Sequence, residues 1–137
     1  MYRTKKATTN ETILSENKTL TIFIIDELFN KGDTAIADKY FAPDFAKEEK
    51  EFMLLIRKAF PDLVIKIEEQ IEEGNHIAIR WTASGTHQGT FLGILPTGKK
   101  ATWKGSWFWT IENKRVVDGM SKGSWDALGL MKQLQAK

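Results

Sequence analysis

Asp126 and His87 are the two side chains whose type and surroundings suit proton transfer. Asp126 follows Trp125 and opens the short apolar segment that holds Leu130, Met131 and Leu134. A carboxylate of ordinary pKa, about 3.9, is a weak base near neutral pH. Enclosure among Trp and Phe side chains disfavours its charged form and raises that value. By position alone Asp126 reads first as the N-cap of a final helix, a place where Asp is favoured. Capping and proton transfer do not exclude one another. His87 lies in a stretch punctuated by Gly85, Gly89 and Gly93. Its imidazole could polarise a ketone or shuttle a proton; the plainer reading is a hydrogen-bonded histidine beside a bend. Phe23, Trp81, Phe91, Trp103, Trp107 and Trp109 are candidates to stack on a flat apolar molecule. Most large aromatics in a domain this small are nonetheless simply core.

Other chemistries are excluded by what is missing. The 137 residues include no cysteine and two histidines, so disulfide scaffolds, thiol nucleophiles and thiolate metal centres are out, and no metal site is expected. Twenty basic against 18 acidic residues leave a net charge of +2, which gives no footprint for nucleic acid. The apolar run Ile22-Phe23-Ile24-Ile25 stops at Asp26 and is too short for a membrane. Gly85, Gly89 and Gly93 do not have dinucleotide or phosphate-loop spacing, and no Gly-x-Ser-x-Gly occurs. The first residues carry positive charge with no apolar stretch behind them. We expect a soluble cytoplasmic protein with a flexible tail over residues 1–14 and a single domain over 15–137.

The elements that position these residues follow from two periodicities. Leu20, Phe23, Ile24 and Leu28 repeat at helical spacing, with Ile22, Ile25 and Phe29 widening the stripe. Ser15 suits the N-cap and Gly32 the C′ position. A short second helix is expected through about Tyr40, with Pro43 blocking its continuation. A third is expected from about Lys47 to Phe60, burying Phe52, Leu55, Ile56, Ala59 and Phe60. From Asp62 the period becomes two. Closing one hairpin at Gly74-Asn75 sets Trp81 opposite Ile67. Closing the next at Pro96-Thr97-Gly98 sets Phe91 opposite Trp103 and His87 opposite Trp107. The expected apolar face then carries odd numbers, Leu63, Ile65, Ile67, Ile77, Ile79 and Trp81 continuing to Phe91, Trp103, Trp107 and Trp109, and a single bulge would flip part of that face. Helices first and strands after argue for an α+β fold with helices on one face of an antiparallel sheet. Lys104-Gly105-Ser106-Trp107 and Lys122-Gly123-Ser124-Trp125 are near-identical and read as chance or as two similar strand segments.

Several blocks resemble the SnoaL-like polyketide cyclases of the nuclear transport factor 2-like superfamily. They are Asn30-Lys31-Gly32-Asp33, Phe60-Pro61-Asp62-Leu63, Ile79 through Gly89, Phe91 through Lys99, and Trp125 through Leu134. The resemblance implies a cone: N-terminal helices packed on a strongly bent antiparallel sheet, a short C-terminal helix, and a pocket at the open end. It implies ring closure by intramolecular aldol condensation, or related proton transfer on an apolar carbonyl compound, without metal or cofactor. The residue matching Asp126 is then the general acid/base. It also implies a homodimer through the outer sheet face, where Phe108 stands among polar residues. The segments at 41–47 and 118–124 differ from the family pattern, and they favour the alternative of a non-catalytic ligand-binding or dimer-forming module.

Overall fold

The structure, a computed structural model, describes residues 14–119 and 123–137. Helix α1, Glu16–Ile24, starts where Ser15 accepts a hydrogen bond from the Lys18 N–H at 3.0 Å, the expected N-cap. It continues into a π-helical turn over Ile25–Asn30. The wider turn shifts the phase of the apolar stripe. Ile24, Ile25, Leu28 and Phe29 become fully buried, while Ile22 and Phe23 face outward, Phe23 at 42% exposure. Phe23 therefore does not line the inward stripe that helical spacing predicts. Its ring packs edge-on against Tyr40, 5.8 Å between centroids.

The π turn is tied down at its end. The Asn30 side chain donates to the Ile65 carbonyl (3.1 Å) and accepts from the Ile65 N–H (2.6 Å), pairing with β1 as a neighbouring strand would. Arg57 donates to the carbonyls of Phe29 and Asn30, which would otherwise lack partners. Helix α2 spans Ala35–Tyr40 and α3 spans Pro43–Ala59. Pro43 opens α3 at its first turn, where a missing N–H costs nothing. The helix thus begins a turn earlier than expected. Its buried face is Phe45, Ala46, Glu49, Met53, Ile56 and Ala59, and Leu55 faces solvent.

The sheet comprises β1 Val64–Glu73, β2 His76–Thr86, β3 Lys100–Glu112 and β4 Arg115–Asp118 in sequential antiparallel order. A short β5, Ser124–Trp125, also pairs with β3, and α4, Ala127–Gln135, closes the chain with Leu130 and Leu134 buried. Ile67 lies opposite Trp81 as expected. A bulge between Ile67 and Glu69 then reverses the faces, leaving Ile71 60% exposed. Across β2 and β3 the expected partners are corrected: Trp103 faces Ala83, Trp107 faces Ile79, and pairing ends at Thr86 and Lys100. The register differs from the expected one by an even number of residues, so the inward face is preserved. The cause is a tight turn of its own at Phe91–Ile94, with Leu92 and Gly93 at φ +53° and +77°. Pro96-Thr97-Gly98 is therefore not the apex of the hairpin. The two Gly-Ser-Trp segments pair with each other, Gly105 with Trp125 and Ser106 with Ser124. No helix among the described residues is long and apolar enough to cross a membrane.

Candidate functional site

Helix α3 lies along β3 in the opposite sense. At its N-terminal end Phe45 stacks on Phe41 (4.7 Å), which meets Trp109 edge-on (5.6 Å). At its C-terminal end Phe60 packs on Trp103 (4.9 Å), and the Ala59 carbonyl accepts from the N–H groups of Gln88 and Gly89. Between helix and sheet is a small apolar cavity of about 40 Å³. The sheet contributes Trp81, Trp103, Trp107 and Trp125, with Ile65 and Ala83; Leu63 precedes β1, and the helices contribute Phe29, Phe52 and Ile56. Trp107 is its hub, stacked on Phe29 at 5.1 Å and tilted against Trp81 at 5.0 Å. Gly105 permits this. A Cβ there would overlap the Trp81 indole, so only glycine lets that ring lie across β3.

Three of the six aromatic candidates, Trp81, Trp103 and Trp107, share this cavity. Trp109 and Phe91 are buried outside its lining, Phe91 against Phe60 and Trp125. Phe23 borders open grooves on the outer side of α1. Trp125 and Phe29 line the cavity and were not singled out from the sequence. The pairing of the two Gly-Ser-Trp segments is the signal that would have added Trp125.

Asp126 caps α4, its Oδ1 accepting the Gly129 N–H at 2.8 Å. Its side chain is exposed, not enclosed among aromatic rings, and it stands one residue from the cavity wall at Trp125. His87 is fully buried, lies opposite Lys99 and not Trp107, and lines no part of the cavity. Its Nδ1 accepts from the Thr97 N–H at 3.2 Å and pairs with the Thr97 hydroxyl. That bond holds together the ends of the connection from β2 to β3.

Among the described residues, the buried side-chain polar atoms without a hydrogen-bond partner include Gln70 Oε1, Trp81 Nε1, His87 Nε2 and Arg115 Nε. Of these residues Trp81 lines the cavity. Glu49, 7% exposed, lies on the buried face of α3 but outside the cavity lining. Burial, with Glu48 beside it, pushes the Glu49 carboxyl up to about 7. Counting back from Ile56 by seven residues and from Phe52 by three would have found Glu49, once Pro43 is read as the start of the helix. Among the described residues no group of three or more His, Asp or Glu could hold a metal ion.

The arrangement is an apolar, aromatic cavity, and the profile of the SnoaL-like polyketide cyclases matches residues 20–134. The chain belongs to that family. Among solved structures, this SnoaL-like chain is similar to a proposed polyketide cyclase from Acidithiobacillus ferrooxidans, at 24% identity and TM-score 0.78, covering 89% of this chain and 96% of that one. It is also similar to AclR from Streptomyces galilaeus, a proposed hydroxylase, at 26% identity and TM-score 0.78, covering 87% and 80%. IdmH from Streptomyces antibioticus, a proposed polyketide cyclase, matches at 21% identity and TM-score 0.75, covering 88% and 99%. These likenesses establish the nuclear transport factor 2-like α+β fold. No curated protein matches the chain.

Proposed function

We propose that this SnoaL-like protein binds a flat, apolar, carbonyl-bearing small molecule in the tryptophan-lined cavity and carries out cofactor-independent proton transfer on it, of the cyclase or isomerase type. The observation that carries the reading is the convergence of Trp81, Trp103, Trp107 and Trp125 on one cavity, Asp126 following Trp125 in the chain. Such rings offer large stacking surfaces to a planar guest. Asp126 is the general acid/base of this reading. One carboxylate oxygen is engaged by the helix cap, and the exposed side chain can exchange its proton with water. His87 serves by holding Thr97 and the connection around it. The test is Asp126→Asn, assayed for ring closure or for proton exchange next to the carbonyl of an aryl ketone. A hundredfold fall is expected for loss of a general acid/base. An unchanged rate removes Asp126 from the mechanism.

A second reading, a non-catalytic ligand-binding module, is favoured by the size of the cavity and the exposure of Asp126. It is selected if a ketone binds but its protons exchange no faster than in buffer. We also propose a homodimer. Ile71, Ala78 and Phe108 are cross-strand neighbours in one row on the outer sheet face, with Ile71 60% and Phe108 48% exposed.

A further inference from the structure

We infer that the tip of the β2–β3 connection docks the protein on the surface of an anionic phospholipid bilayer, with Leu92 and Leu95 entering the interface and Lys58, Lys99 and Lys100 serving the headgroups. The docking holds whether or not the cavity takes a ligand.

The backbone of the tip is the first observation. Phe91 and Ile94 exchange both backbone hydrogen bonds, at 3.0 and 2.9 Å, around Leu92 and Gly93, whose φ angles are +53° and +77°. A two-residue turn with both φ positive ordinarily takes Asn-Gly or Asp-Gly. Leucine has no polar side chain to offset that conformation, so its presence costs stability. Packing returns little of the cost: Leu92 is 44% exposed and Leu95, just after the turn, 73%. The base of the turn is fixed by contrast. Phe91 is 2% exposed and packs edge-on against Phe60 at 5.8 Å. The two leucines are thus held out to solvent on a rigid support. Leu128, 63% exposed, lies three residues after Trp125, whose ring meets Phe91 at 6.2 Å.

Charge is the second observation. No Asp or Glu occurs between Glu73 and Glu112, a stretch that holds Arg80, Lys99, Lys100 and Lys104. Lys99 and Lys100 follow the tip in the chain. Lys58 lies against the connection, where a Cβ on Gly89 would overlap its carbonyl. Asp62 and Asp126, acids toward this end, are each engaged by a backbone N–H, of Thr86 and of Gly129. Exposed apolar side chains flanked by lysines bind anionic lipid by burial of the first and attraction of the second. The shape favours lipid over a protein partner. A Cβ on Gly93 would meet nothing within 4 Å, so the tip stands clear of the body. Fluid lipid closes around such a projection, whereas a protein would need a socket cut to it.

The test is co-sedimentation of the full chain with vesicles of phosphatidylcholine alone and of an equimolar mixture with phosphatidylglycerol. The wild type should bind the anionic vesicles about tenfold more tightly, and added salt should weaken that binding. Leu92→Asn and Leu95→Ser should each weaken it about tenfold. Asparagine suits a positive φ, so Leu92→Asn should need more urea to unfold than the wild type while binding worse. A folding defect would move both readings the same way. Lys99→Gln with Lys100→Gln should cost about fivefold per lysine on anionic vesicles. Leu14→Ser, 49% exposed at the opposite end of the sheet where Ser15 bonds Glu72, should bind as the wild type does. Equal binding to both vesicles, binding to neither, or an equal loss from Leu14→Ser overturns the docking. So does a dimer that Leu92→Asn or Leu95→Ser dissociates in the absence of vesicles, which would make a second copy the occupant of the tip.

Discussion

A carboxyl buried without a partner destabilises the fold that contains it, and Glu49 is such a group. Its ordinary value is 4.5 and its folded value about 7, so the folded chain binds this proton more tightly than the unfolded chain. Stability is therefore greatest below pH 4.5, falls as the pH rises to about 7, and levels off above it. The shift corresponds to about 3 kcal/mol. Urea melts at pH 5 and pH 8 should show that fall in the wild type and a much smaller one in Glu49→Gln; equal falls would show that Glu49 is not strained. Asp62 has the opposite sign. Its carboxylate accepts from the Thr86 N–H and hydroxyl, both at 2.7 Å, which holds it below the usual range. Its contribution is present above its unfolded pKa and is lost in acid. The two groups thus oppose one another in sign: Asp62 favours the fold above its unfolded value of 3.8, and Glu49 weakens it above 4.5.

Single side chains also join whole elements. Asn30 latches the π turn onto β1 through both backbone groups of Ile65. Asn30→Ala should lower stability by about 2 kcal/mol, two net hydrogen bonds, with chemical denaturation as the readout. Gly105→Val should be worse, because it drives the Trp81 ring off β3. We expect a loss above about 3 kcal/mol and a changed tryptophan emission spectrum. A stable variant with wild-type emission would show that the ring can lie elsewhere. At this scale the sequence was informative where one period ran unbroken. Ile77 to Ala83 and Trp103 to Ile111 announce their inward face by alternation, and the structure keeps it. Legibility failed where local geometry departs from the repeat without a residue that marks it. Leu92 adopts a positive φ that glycine or asparagine would have advertised. The bulge after Ile67 has no glycine, and the π turn at Ile25 is built from ordinary helix formers. Glu49 was hidden for a related reason. A glutamate on a helix is read as solvent-facing until the helix start is placed at Pro43.

For the molecule as a whole, the outer sheet face governs assembly and the cavity governs access. If the outer sheet face joins two copies, Phe108→Glu should convert a dimer to a monomer in sedimentation. The fold should be little affected, since surface changes usually shift stability by less than about 0.5 kcal/mol. A monomeric wild type would end that proposal. Access is governed by the void of about 40 Å³, room for about one water. Any guest with a ring must first displace protein, and the partly buried indoles of Trp107 and Trp125 are the walls that can give way. Capture is then timed by the chain's own breathing and not by collision. Stopped-flow traces should reach a ceiling rate however concentrated the guest, and cooling should lower that ceiling steeply.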